Sequence, residues 1–187
     1  MKLSFYGADR AVTGSCHMVE CAGKRILIDC GLYQGGREME EENEHPFGFD
    51  AAAIDIVLLT HAHLDHCGRL PLLAKRGFRG EIVSTAATAE LARLVMVDSA
   101  HLQEEDACYR AKKAKKHQRE EKPIAPLYSL IDALNSISQF GRTALYDTPI
   151  ELAKGLSATF INAGHILGSA SIFLELSEGA HKSSVLF

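Results

Sequence analysis

The apolar run Ile54-Asp55-Ile56-Val57-Leu58-Leu59 ends at Thr60 and leads straight into His61-Ala62-His63-Leu64-Asp65-His66. Its length and β-branched content favour a buried strand over a helix. A core strand delivering the chain into a histidine cluster constrains the fold more than any other stretch, because it ties an interior element to side chains with metal-binding chemistry. Residues 61 and 63 can present imidazoles in one direction while 65 and 66 turn toward a neighbouring point. Neutral imidazole nitrogen and carboxylate oxygen are ligands that zinc accepts at about 2.0–2.2 Å, and a catalytic site keeps one position for water. One loop can therefore serve two adjacent metals. A polar loop with chance histidines is the alternative, but three histidines and an aspartate in six residues, from nine histidines in 187, weigh against it.

The rest of the chain supplies ordinary globular material. It is 47% hydrophobic and 24% charged, which is enough for one core and argues against disorder. No uninterrupted apolar run approaches the roughly 20 residues that span a bilayer, and the first residues turn polar too quickly for a signal peptide. A soluble, cytoplasmic protein with no membrane partner is the expectation. Five cysteines, Cys16, Cys21, Cys30, Cys67 and Cys108, are odd in number and contain no C-x-x-C pair. That pattern fits reduced, mostly buried thiols rather than a disulfide framework or a thiolate zinc site. A formal net charge of −4 gives no global attraction to nucleic acid, yet charge is segregated. Glu38, Glu40, Glu41, Glu42 and Glu44 cluster early, and a basic run from Arg110 to Lys122 follows later.

Strands are expected over Lys2 to Tyr6, His17 to Cys21 and Arg25 to Asp29, with a tight turn at Ala22-Gly23-Lys24, so the chain opens as a β-meander. Gly31 to Phe49 reads as a loop with one helical turn over Arg37 to Glu42. Beyond the histidines, Leu70 to Lys75 is expected as a short helix ended by Gly77, and Glu81 to Ser84 as a strand. Thr85 then caps a long helix in which Leu91, Leu94, Val95 and Leu102 recur at the spacing of an apolar face. The helix is read as running into Arg110 to Lys116 until Pro123 and Pro126 break it. Leu127 to Phe140 reads as another helix, and Leu145 onward returns to strands separated by Gly155, Gly164 and Gly168. Alternating strands and helices place the chain in the α/β or α+β class.

His165, in Ala163-Gly164-His165-Ile166-Leu167-Gly168-Ser169, is a weaker signal, and a metal ligand or a core or turn histidine fits it equally. The run His61-Ala62-His63-Leu64-Asp65-His66 matches H-x-H-x-D-H and so resembles the metallo-β-lactamase superfamily, whose signature is specific when it follows a buried strand. The segments Gly7 to His17, Leu27 to Gly35 and Gly164 to Ala170 are similar to the β-CASP branch of that superfamily, which holds RNA-processing nucleases. The resemblance spans nearly the whole chain in order, with Arg110 to Pro123 its least diagnostic part. It implies a metallo-β-lactamase αββα sandwich of which residues 1–187 form the amino-terminal half and the start of the second half. On this resemblance the domain is partial. The β-CASP cap domain, a bridging aspartate in a Ser-Gly-Asp sequence and a late histidine of the second metal site are absent from the chain.

Carried over residue by residue, the resemblance assigns His61, His63 and His165 to one zinc and Asp65 with His66 to a second, weak or absent here without the bridging carboxylate. Asp65 would also act in catalysis by orienting the attacking water and taking its proton. Asp29 would support the site by hydrogen bonding to a ligand, although an aspartate capping the turn before Gly31 explains it as well from sequence alone. Ser169 and the amides near Gly168 would contact phosphate. The implied function is zinc-dependent hydrolysis of RNA phosphodiesters by the parent protein, with little or no activity in this chain alone. Hydrolysis of a thioester, lactam or other small ester by the same zinc chemistry is one alternative, and a non-catalytic module is another. The basic run fits attraction to an RNA backbone. A solvated helix end is the simpler reading, and base stacking finds no support with only Tyr109 interleaved. An incomplete sheet would expose edge and apolar surface, which favours self-association.

Overall fold

The computed structural model describes residues 1–116 and 125–187. Its first turn sets the opening topology. Ala22 and Gly23 both take positive φ, 52° and 72°, the left-handed two-residue turn whose twist suits a hairpin. They join β2 (His17–Cys21) to β3 (Lys24–Ile28), and β1 (Lys2–Phe5) pairs antiparallel outside β2, giving the expected meander. The expected helical turn in the following loop is α1 (Arg37–Glu42). The sheet then continues in parallel through β4 (Ile56–Leu58), β5 (Glu81–Thr85) and β6 (Phe140–Ala144) in the order β1-β2-β3-β4-β5-β6. Parallel neighbours require crossovers. These run through α1 and the short turn Ala51–Ala53 before β4, through α2 (Leu64–Cys67) and α3 (Leu70–Lys75) before β5, and through α4 (Ala86–Lys116) and α5 (Leu130–Ile137) before β6.

A second, antiparallel sheet follows, β7 (Ile150–Ala153), β8 (Leu156–Asn162), β9 (Ala170–Glu178) and β10 (His181–Leu186), in the order β10-β9-β8-β7. Strand β9 shows why it lies there: Ala170, Ile172, Leu174 and Leu176 are buried, and the alternate residues face outward, the period-two pattern of a sheet with one covered face. That inner face packs on Ile26, Ile28, Ile56, Leu58 and Val83 of the first sheet. The opposite face of the first sheet, with Leu27, Val57 and Ile82, meets Leu70, Leu73 and Met96 of the helices. The result is an α/β fold of three layers: helices, mixed sheet, antiparallel sheet. Of the five free cysteines, Cys16, Cys21, Cys30 and Cys67 are buried and Cys108 is exposed, as expected. Among the described residues, no helix is long and apolar enough to cross a membrane.

Two expectations about the helices require correction. Leu94 and Leu102 are 69% and 54% exposed; the buried stripe of α4 is Thr88, Ala92, Met96, Ser99 and Ala100, with Leu91 and Val95 only partly covered. Small residues let the helix lie close to its neighbours, and both stripes share the same i+3/i+4 spacing, so period alone cannot choose between them. The helix expected over Leu127 to Phe140 is limited to Leu130–Ile137. Ser129 and Asp132 form a reciprocal capping box that fixes its start, while Phe140 already belongs to β6, five residues before strands were expected to resume. Helix α4 does run to Lys116. Pro123, expected to break it, and Arg119 and Lys122 of the basic run lie outside the described residues.

Candidate metal centre

Strand β4 is buried along its length, and Leu59 N still donates to Val83 O at 3.0 Å before the chain leaves the sheet. His63 follows in extended backbone as the N-cap residue of α2, and its carbonyl accepts from the amides of His66 and Cys67 at 2.9 Å each. This tight turn gathers His61, His63, Asp65 and His66, with the His61 ring centroid 3.9 Å from that of His66 and 4.9 Å from that of His63. His61 is buried and His63 is exposed.

The third histidine arrives from the second sheet. The loop between β8 and β9 is pinned from several directions, which is how a residue far along the chain is held beside the first cluster. Ser169 Oγ accepts from His165 N and Ile166 N, each at 3.1 Å. Thr85 Oγ1 and Thr88 Oγ1 donate to Gly168 O at 2.7 and 2.8 Å, and Ala170 N donates to Thr60 O at 2.9 Å. Gly168 itself takes φ +82°, and a Cβ there would stand 2.5 Å from Thr88 N, so the close approach to α4 requires glycine. Ser169, expected as a phosphate contact, is 1% exposed, and its hydroxyl shapes this loop.

His61, His63 and His165 each bring a ring nitrogen within 4.8 Å of the other two. His63 Nδ1 and His165 Nε2 are 3.1 Å apart. Two nitrogens on a tetrahedral zinc with bonds of about 2.0–2.1 Å stand about 3.3 Å apart, so this edge is already at coordination spacing. The three rings lie with centroids 4.9 Å apart pairwise and interplanar angles of 82°, 87° and 74°, radiating about a shared centre. Burial, then the neighbouring His66, lowers the His61 pKa to about 4, so its ring is neutral and keeps a lone pair for a metal. The donor set fits a metal ion that accepts imidazole nitrogen, with one ligand buried and two open to solvent.

Asp65 and His66 form a separate pair, with His66 Nε2 3.7 Å from Asp65 Oδ2. Behind them Asp29, 2% exposed, is a hub. Its Oδ1 accepts from Thr60 N at 2.8 Å, and its Oδ2 accepts from His66 Nδ1 at 2.7 Å and Ser15 Oγ at 3.2 Å. The Thr60 hydroxyl lies 2.9 Å from both carboxylate oxygens and 3.0 Å from His61 Nδ1. Donating its proton to Asp29, it accepts from His61 Nδ1–H and leaves His61 Nε2 free. Burial alone would lower the His66 pKa, but the Asp29 hydrogen bond and charge outweigh it and the net shift is upward. Asp29 reaches this position with φ +61°, a backbone region that non-glycine residues rarely occupy, though aspartate more often than most. The sequence reading missed Thr60 and Ser15 as supports of this carboxylate. The position of Thr60 between the strand and the first histidine was the available signal; Ser15 was marked only by lying in the Gly7 to His17 segment that resembles the β-CASP branch. His17 was also missed. It lines a cavity of about 320 Å³ together with Asp29, His61, His66 and His165, and its Nδ1 is buried without a partner among the described residues.

The chain is similar to several known proteins. Ribonuclease TTHA0252 of Thermus thermophilus is 37% identical over 172 residues, covering 92% of this chain and 34% of its own length. The transcription termination factor FttA of Methanothermobacter thermautotrophicus is 32% identical over 187 residues, covering 96% and 26%. An RNase J-like protein of Methanocaldococcus jannaschii is 32% identical over 174 residues, covering 93% and 33%. The chain thus spans about a quarter to a third of the length of these relatives. Among solved structures, the subclass B3 metallo-β-lactamase BJP-1 of Bradyrhizobium japonicum superposes with a TM-score of 0.56 at 20% identity, over 99% of this chain and 58% of that one, a likeness of fold. The metallo-β-lactamase superfamily model matches residues 9–144, from the segment before β2 through the end of β6, and so includes the strand and turn that place His61, His63, Asp65 and His66. On that match the chain belongs to the metallo-β-lactamase superfamily, whose fold is a metal-binding one.

Proposed function

We propose that this domain holds the metal centre of a zinc-dependent phosphodiester hydrolase that acts on RNA. The convergence of His61, His63 and His165 carries the proposal, because a three-imidazole set with an open position suits a catalytic zinc better than oxygen-seeking magnesium or calcium. The ribonuclease and RNase J-like names of two relatives support RNA as substrate, as does the similarity of Gly7 to His17 and Gly164 to Ala170 to the β-CASP branch. Asp65 and His66 would contribute to a second zinc. The compact donor group among the described residues comprises only the other three histidines, so the second ion is held weakly by this chain.

Bound zinc supplies a water acidified toward neutrality and neutralises charge developing on a phosphoryl oxygen. The chain's own residues have separate tasks around it. Asp29 holds the Nδ1 proton of His66 and so keeps the Nε2 lone pair facing outward. Thr60 and Ser15 stop the Asp29 carboxylate from rotating. Asp65 accepts the proton of the attacking water. Activity is to be tested on a protein that carries this chain together with the further length its relatives have. Incubated with single-stranded RNA and with small thioesters or lactams, that protein is expected to cleave RNA, and only when zinc is present. Cleavage of the small esters alone would overturn the assignment.

A further inference from the structure

The longest helix has a feature that hydrolysis does not use. Buried residues on α4 stop at Ala100, and Glu104 Oε1, accepting from Leu130 N at 2.9 Å, is its last side-chain tether to the body among the described residues. The helix continues to Lys116, about 18 Å farther at about 1.5 Å per residue. Arg110, Lys112, Lys113, Lys115 and Lys116 crowd this arm with no acidic residue between them, and none forms an ion pair among the described residues. Helical spacing adds a point that the linear sequence hides. Lys112, Lys113 and Lys116 fall three, four and seven positions after Tyr109, hence on its face toward the end of the arm, Glu105 and Asp106 fall on the same face four and three positions before it, and Ala107, Ala111 and Ala114 fall opposite. Tyr109 is 64% exposed.

We propose that this arm is a binding site for single-stranded RNA, with the lysines meeting phosphates and a base stacking on Tyr109. The inference rests on the reading of the protein as an RNA hydrolase and adds a second, remote contact to it. Lysines alone attract any polyanion. An open aromatic ring one turn before them selects a ligand that carries both phosphates and aromatic faces. The geometry also sets a length. Thr88, which bonds the Gly168 carbonyl beside His165, lies about 32 Å along the helix axis from Tyr109. At the stacked rise of about 3.4 Å per nucleotide, a strand joining metal centre to arm needs about ten nucleotides, and an extended strand needs fewer.

The test is RNA binding by the 187-residue chain in the presence of a chelator, so that hydrolysis plays no part. A 20-nucleotide single strand is expected to bind more tightly than a 5-nucleotide one. Changing Lys112, Lys113, Lys115 and Lys116 together to Gln should weaken 20-mer binding at least about tenfold and flatten the dependence of log K on log salt by about 3. Tyr109→Ala should weaken it about tenfold with no change in salt slope, and Tyr109→Phe should restore it. Helix content by circular dichroism should be unchanged in all variants. Variants that bind the 20-mer like the parent overturn the proposal. So does competition by polyglutamate as effective as by RNA, which would mark the arm as a site for an acidic protein. The two readings fail separately. Arm-dependent binding by a protein that never cleaves RNA with zinc sinks only the hydrolase, whereas zinc-dependent cleavage with arm-independent binding sinks only this proposal.

Discussion

His66 is held from behind by a buried carboxylate that also grips Thr60 and Ser15, whereas His63 and His165 stand exposed, with each other as their side-chain hydrogen-bond partner. The difference teaches that two kinds of order meet in this site. Asp29 belongs to the interior, and its network welds β3, the end of β4 and the turn into α2. The exposed rings are positioned by their backbone and lend the fold little. Folding stability and affinity for the first metal are therefore expected to separate by residue.

Asp29→Ala tests the comparison hardest. It strands the Thr60 amide, frees His66 and leaves alanine in a left-handed conformation, so metal-free stability by urea unfolding should drop by about 3 kcal/mol. Asp29→Asn, which tolerates the same backbone, should recover part of that loss. Thr60→Val removes only the hydroxyl and should cost about 1 kcal/mol in the same measurement. Equal losses in the two proteins would show that Asp29 acts only through Thr60. His63→Ala and His165→Ala sit at the other end. Each should leave metal-free stability within about 0.5 kcal/mol of the parent, while zinc affinity by competition with a chromophoric chelator falls more than about 100-fold. A large stability loss in either would erase the contrast. The smallest effect is expected at Leu94, where Leu94→Ala should change stability by less than about 0.5 kcal/mol, against roughly 2–5 kcal/mol for Met96→Ala on the buried face of the same helix.

That last pair also marks where sequence reasoning reaches its limit. Strand β4 and its histidines were legible because a short β-branched run and a dense cluster of one scarce residue are local signals. The face of α4 was not, since Leu94 and Met96 sit in stripes of equal period and only the partner surface decides which is buried. Asp29 had two equal readings until its positive φ and its four bonded atoms were seen, none of which a linear string displays. His165 was similarly undecided, because its placement depends on the second sheet delivering a loop 102 residues away in sequence to His63. The tyrosine of the basic arm was visible as a residue but not as the ring at the base of a lysine-rich helical face.

In the proposed metal centre, His61, His63 and His165 form one complete zinc site, and Asp65 and His66 form only part of a second. Zinc content of the purified chain after extensive dialysis, measured by elemental analysis beside His63→Ala, tests this most directly. The expected result is about one zinc per parent chain and almost none in the variant. Two tightly held zincs per chain, or a zinc retained in His63→Ala, would contradict it.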